Sequence, residues 1–183
     1  MKISKNLEKS SKINLWINEN LAFDEKILEV LHEEIKSNEV VSWKDITYIV
    51  EFYIGQKHMS NYAMLGMEYI YKNTGKLDVK VCVSNDEGKI LENTIAMPGD
   101  EVHSGIPKEY GEKILQVAAS YFRVHNYGMG EIVFFMGAHG YYGSSQVVFG
   151  LATNILLNCL EKKCESDVKM LEKTVYETYY GID

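Results

Sequence analysis

Apolar positions recur along this chain with a period that changes near residue 64. Before it, Ile27, Val30, Leu31 and Ile35 fall at three- and four-residue spacing after Asp24, a helix N-cap residue type. Ser42 and Asp45 form a variant of the capping box ahead of Ile46, Ile49, Val50, Tyr53 and Ile54, and Gly55 marks the end of that run. An N-terminal helical pair over residues 1–60 is therefore expected. From residue 64 the period becomes two. "MEYIYK" leads through the turn "NTGK" to "DVKVCVS", where Val79, Val81 and Val83 share one face of a strand. "NDEG" reads as a hairpin turn and "KILENTIA" as the strand that follows it.

A loop, "MPGDEVHSG", then precedes "IPKEYGEKILQVAASYF". Pro107 suits the first turn of a helix, where its missing N–H costs nothing, and Tyr110, Ile114, Val117, Ala118 and Phe122 form a buried stripe. After "HNYGMG" comes the strand "EIVFFM", and then a helix from Ser144 to about Lys162. Both faces of that helix carry apolar residues (Val147, Phe149, Leu151, Ile155, Leu156, Leu160), which predicts a central position. A last amphipathic helix uses Val168, Leu171, Val175 and Tyr179 and stops at Gly181. The predicted order is α-α-β-β-β-α-β-α-α, an α/β (α+β) protein divided into residues 1–60, 64–162 and 163–183, packed as one unit.

Composition allows a real core: 46% of the 183 residues are hydrophobic and 11% aromatic. No apolar run approaches the roughly 20 residues that span a bilayer, and the lysine-bearing N-terminus lacks an apolar signal region. A cytoplasmic protein without membrane contact is expected. Cys82, Cys159 and Cys164 include no CxxC pair and read as reduced thiols.

Charge narrows the partners. There are 19 basic and 26 acidic side chains, a net charge of -7, and Arg123 is the only arginine. Phosphate backbones are held by clustered Lys and Arg, so direct nucleic-acid binding is disfavoured. The five histidines show no metal-ligand spacing and no P-loop is present, so neither a metal nor a cofactor is expected.

Two motifs in this order, "GIPKEYGEKI" and "GAHGYYGSSQVVFGLA", resemble the fourth domain of elongation factor G and its ribosome-protection relatives. Ile106–Tyr110 matches the family's "(V/I)PKEY", and Ser144, Ser145, Phe149 and Ala152 match its "SS-x-x-x-F-x-x-A". The likeness covers about residues 64–162. It implies a split β-α-β sandwich of the ribosomal-protein/elongation factor G domain IV type, with two helices backing one sheet. It also implies two contact loops at a tip, which fall here on Asn73, Thr74, Gly75 and Lys76 and on His139, Gly140, Tyr141 and Tyr142. The first loop is short, and no Lys or Arg lies between Arg123 and Lys162.

The second loop admits other chemistry. Gly143, Ser144 and Ser145 open a helix, where backbone N–H groups and the helix dipole suit an anion such as phosphate. A serine that merely caps the helix is favoured over that site. "YGSSQ" is not a nucleophile elbow, and no catalytic residue is assigned. Tyrosines and an imidazole at a tip can stack on bases or anchor a protein interface, and the acidic surroundings favour protein. The sequence thus predicts a non-catalytic binding module that presents two loop tips to a ribosomal or protein partner. The alternatives are a small enzyme or ligand-binding protein with a phosphate site before Ser144, and an acidic regulatory or neutralising module.

Overall fold

A computed structural model describes residues 1–7, 10–21, 23, 25–36, 43–56, 59–125, 128–164 and 168–181. Eight strands come from them: β1 (Lys2–Asn6), β2 (Lys12–Ile17), β3 (Ile27–Lys36), β4 (Ile46–Gln56), β5 (Met59–Tyr71), β6 (Lys76–Ser84), β7 (Val102–Ser104) and β8 (Gly130–Gly140). Three helices complete the set: α1 (Lys108–Val124), α2 (Gln146–Glu161) and α3 (Val168–Tyr180). The protein is mixed α/β. Its single sheet runs β1-β2-β4-β5-β8-β6-β3, with β7 paired to the end of β8. Every pairing is antiparallel except β6 with β8, which is parallel and connected through α1.

Alternation explains the layers. Ile13, Leu15 and Ile17 of β2, Tyr48, Val50 and Phe52 of β4, Leu65, Met67 and Tyr69 of β5, and Leu77, Val79 and Val81 of β6 are buried in one cluster with all three helices. Helix α1 lies over β3 and β6, α2 over β4 and β5 beside it, and α3 against α2. The central place predicted for α2 follows from this arrangement, although Val147, at its first turn, is 78% exposed. On the opposite face the described residues cover the part of the sheet formed by β2, β4, β5 and β8. There Trp16, Ile49, Tyr62, Met64, Met136 and Ala138 form a second cluster under Leu21, Phe23, Leu91, Ile95 and Ala96 of two irregular segments.

The N-terminal helical pair is absent. Residues 27–36 and 46–56 are strands β3 and β4 of the same sheet, so the first sixty residues build the sheet instead of extending it. Asp24 and Ser42, the expected capping residues, lie outside the described residues. In β4 both faces are covered: Tyr48, Val50 and Phe52 meet the helices while Ile49 sits in the second cluster. A strand buried on both sides loses its polar alternation, and its apolar positions then fit a helical period equally well. In β3, an edge strand, Ile27, Leu28 and Val30 are exposed, so the spacing there does not mark a buried face.

"KILENTIA" is not a full third strand after a hairpin. β6 is flanked by β3 and β8, and Ile90 makes only an isolated bridge with His103. The remainder is held down by other bonds: Leu91 N donates to Val102 O at 2.8 Å, and Ile95 N to the Glu51 carboxylate at 2.9 Å. The predicted α1, β8, α2 and α3 are all present, with Pro107 at the N-cap of α1 rather than inside it. Cys159 and Cys164 are buried, Cys82 is half-buried, and none forms a disulfide. No helix among the described residues is long and apolar enough to cross a membrane.

Candidate functional site at one end of the sheet

The two predicted contact loops lie at opposite ends of the sheet. Leu77 pairs with Gly130 at the start of β8, so Asn73–Lys76 sits at that end, whereas Tyr141 and Tyr142 follow Gly140 at the other. Ten residues of strand separate the ends by roughly 33 Å. No single compact surface can include both.

The first loop is a plain turn. Asn73, Thr74 and Gly75 are exposed, Gly75 takes φ +70, and Lys76 pairs with Glu34 across the sheet.

The second loop is held from several sides. Tyr142 N and Gly143 N donate to Asp100 Oδ1 and Oδ2 at 2.9 and 3.1 Å. Gly140 N donates to Ser144 Oγ at 2.8 Å, and that hydroxyl donates onward to Tyr62 O at 2.6 Å. Tyr62 N returns a bond to Gly143 O at 2.7 Å, and Tyr141 N donates to Glu101 O at 2.9 Å. Gly140 is required by this brace, because a Cβ there would lie 2.1 Å from Asp100 Oδ2. Ser145 is the N-cap of α2, its hydroxyl accepting from Val148 N at 3.4 Å. Asp100 thus occupies the Tyr142 and Gly143 amides, and both serine hydroxyls are engaged within the protein.

Beneath the turn lies a buried polar knot. Glu51, 3% exposed, accepts from Asn14 Nδ2 at 2.8 Å, Tyr62 OH at 3.1 Å and Ile95 N at 2.9 Å. Burial, and next the Glu51 carboxylate, push the Tyr62 hydroxyl well above its ordinary pKa, so it remains a donor. The knot ties β2, β4, β5 and the 85–101 segment together directly below the turn.

His139 is not at the tip. It is the penultimate residue of β8, 7% exposed, stacked against His103 with ring centroids 6.1 Å apart and edge-on to Tyr110. Its Nδ1 faces Gly105 O at 3.3 Å and its Nε2 faces Asp86 O at 3.2 Å. Desolvation lowers its pKa, against the Gly105 and Asp86 carbonyls, which raise it. What the turn does expose is Tyr141 at 69% and Tyr142 at 80%, their rings in edge contact with centroids 4.8 Å apart.

Several positive side chains that could serve a phosphate backbone, the single arginine included, are taken up locally. Arg123 pairs with Glu33, Lys108 with Glu29, Lys76 with Glu34, and Lys72 and Lys80 both with Glu131. Among the described residues no cluster of His, Cys, Asp or Glu is placed to hold a metal ion.

Asp100, Glu51 and Tyr62 were not singled out by the sequence. Asp100 stands in "MPGD", a turn-forming stretch, and only that composition hinted at a structural carboxylate.

Fold and site together define an α/β protein with a rigidly braced aromatic turn at one end of its sheet. Comparison with protein-family models, with curated proteins and with solved structures finds no match to the chain.

Proposed function

We propose that this protein is a non-catalytic binding module that docks the Tyr141–Tyr142 turn, with Val147 beside it, onto a partner protein. One observation carries the reading: two large aromatic rings are exposed on a backbone whose N–H groups donate to Asp100, Glu101 and Ser144 and whose Gly143 carbonyl accepts from Tyr62 N. Ordering cost is therefore met before binding, which is the condition under which exposed tyrosines act as interface anchors. The net charge of -7 and the paired cations favour a protein surface over nucleic acid.

The likeness to the fourth domain of elongation factor G belongs to the same proposal. It is supported by two helices, opening after Pro107 and Ser145, that back one sheet, and by the parallel β6–α1–β8 unit. In that reading the partner is ribosomal, and only the second of the family's two contact loops is used.

A photo-crosslinking phenylalanine analogue at Tyr142, with Gly75 as the control position, tests the proposal in cells of the natural source. A discrete protein adduct from position 142 alone is expected. Adducts from neither position, or equally from both, would remove the tip as the binding site. Sedimentation with ribosomes at low and physiological salt then separates the ribosomal reading from another protein partner.

A further inference from the structure

Charge is distributed unevenly between the two ends of the sheet. Residues 85–101, the segment that braces the tyrosine turn, contain Asp86, Glu87, Glu92, Asp100 and Glu101 against Lys89 alone, a net charge of -4 out of -7 for the chain. No Lys or Arg lies between Arg123 and Lys162, so β8, the turn and α2 add no cation of their own.

Two of these acids come into line with the exposed rings. Ile90 bridges to His103, Leu91 N donates to Val102 O at 2.8 Å, and Val102 pairs with Gly140. Glu92 therefore comes alongside Glu101, and Glu101 alongside Tyr141, whose N–H donates to Glu101 O at 2.9 Å. Glu92 is exposed and the Glu101 side chain is 56% exposed. Carboxylates and aromatic rings thus share one accessible strip. Exposed Asp86 and Glu87 continue it past His103, whose Nδ1 lies 3.1 Å from Gly88 O.

Like charges side by side on neighbouring strands destabilise a sheet. At the opposite end the acids are matched: Glu33 with Arg123, Glu34 with Lys76, and Glu131 with Lys72 and Lys80. Among the described residues, none of the five acids in 85–101 pairs with a Lys or Arg. Asp100 is taken by two backbone amides, and Glu101 meets the His103 ring at 2.8 Å. No cluster of His, Cys, Asp or Glu among the described residues is placed to hold a metal ion, so the strip suits cations carried along a chain.

We propose that the tyrosine turn takes a basic segment of its partner protein, with arginine or lysine cations on the faces of Tyr141 and Tyr142 and against Glu101 and Glu92. The inference rests on the docking reading above and names the chemistry of the occupant. Tyrosine faces attract cations, arginine most often, and a guanidinium stacked on a ring can also bond a carboxylate with its planar fork. A negative strip of this kind steers a basic surface towards it and repels a phosphate backbone.

The test follows amide chemical shifts of the intact protein as a synthetic peptide of alternating arginine and serine is added, with its citrulline counterpart as the uncharged control. The arginine peptide should shift the amides of Glu92, Glu101, Tyr141 and Tyr142 and leave Gly75 and Lys76 still, with the citrulline peptide weaker by roughly tenfold or more. Tyr141→Ala/Tyr142→Ala and Glu92→Gln/Glu101→Gln should each weaken binding. Glu33→Gln/Glu34→Gln, an equal change of charge at the opposite end, should leave it unaltered. Glu92→Gln alone decides should the first glutamine pair fail to fold. Absence of shifts up to ~1 mM, equal binding of the citrulline peptide, or equal loss from the two glutamine pairs overturns the basic occupant. A crosslinked adduct from position 142 alongside any of those results retains the docking reading and removes only this inference. Absence of that adduct removes the docking reading, and this inference with it, whatever the peptide does.

Discussion

Asp100 and Tyr142 are 42 residues apart in sequence, yet Asp100 Oδ1 accepts the Tyr142 N–H at 2.9 Å while its other oxygen takes the next amide. This bidentate grip makes the turn after β8 depend on a side chain from the irregular 85–101 segment. Asp100→Ala removes two charge-assisted bonds at a partly exposed site and should cost about 1–3 kcal/mol in urea unfolding. Gly140→Ala should act through the same brace, since its Cβ would displace Asp100 Oδ2. The two changes combined should therefore cost clearly less than their sum. Faster hydrogen exchange at the Tyr142 and Gly143 amides is the local readout. Full additivity, with unchanged exchange at those amides, would mean that the carboxylate does not hold the turn.

Tyr141→Ala/Tyr142→Ala should leave stability within about 0.5 kcal/mol of the parent, because both rings are mainly in solvent. Partner binding, measured with the adduct identified from position 142, should fall by roughly tenfold or more. Lys76→Ala at the opposite end should leave it unaltered. A stability loss of several kcal/mol in the double variant would instead assign the rings to the core.

Glu51 gives a sharper contrast between two substitutions. Glu51→Gln keeps an acceptor for Tyr62 OH and Ile95 N, and the Asn14 amide can turn to present its oxygen to the new NH₂ group. A cost of about 1–2 kcal/mol is expected. Glu51→Ala strands all three donors in the interior and should cost on the order of 3–5 kcal/mol. Chemical or thermal unfolding of the pair separates them. Equal losses would show that the knot depends on the Glu51 charge, which both substitutions remove, and not on the neutral hydrogen bonds that Gln retains.

Most elements after residue 64 could be read from the sequence, "KILENTIA" excepted. From β5 onward the alternation of Val79, Val81 and Val83, the stripe on α1 and the serine cap of α2 each reflect one buried face, and such patterns are visible locally. Before that point the signals fail for two physical reasons. Ile49 in β4 is buried by segments distant in sequence, so the apolar set has no single face, and exposed Ile27 and Val30 on the β3 edge complete a false helical repeat with Leu31 and Ile35. Richness in β-branched and aromatic residues in "ITYIVEFYI" was the available cue for a strand. At the site, the turn before Ser144 was legible, but its occupant was not. Asp100 reaches it only once β7 has carried residues 97–101 alongside the end of β8.

His139 contributes to the loss of stability on acidification. Its two ring nitrogens face carbonyls of Gly105 and Asp86, and around it stand His103, stacked, Tyr110, edge-on, and the Asp86 side chain as a more distant charge. The folded pKa lies below the ordinary 6.5, with desolvation the main cause. The unfolded chain therefore takes up the proton first. Stability from this group is complete above about pH 7.5 and is lost as pH falls through 6.5 towards the lower folded value, with a slope of at most ~1.4 kcal/mol per pH unit. Urea midpoints measured from pH 7.5 to 5 should decline, and in His139→Gln the decline over that window should be shallower. Ring-proton titration by NMR gives the direct check: a midpoint for His139 at or above 6.5 would show that the Gly105 and Asp86 carbonyls, which raise the pKa, outweigh desolvation, and would contradict the acid-side loss argued from it.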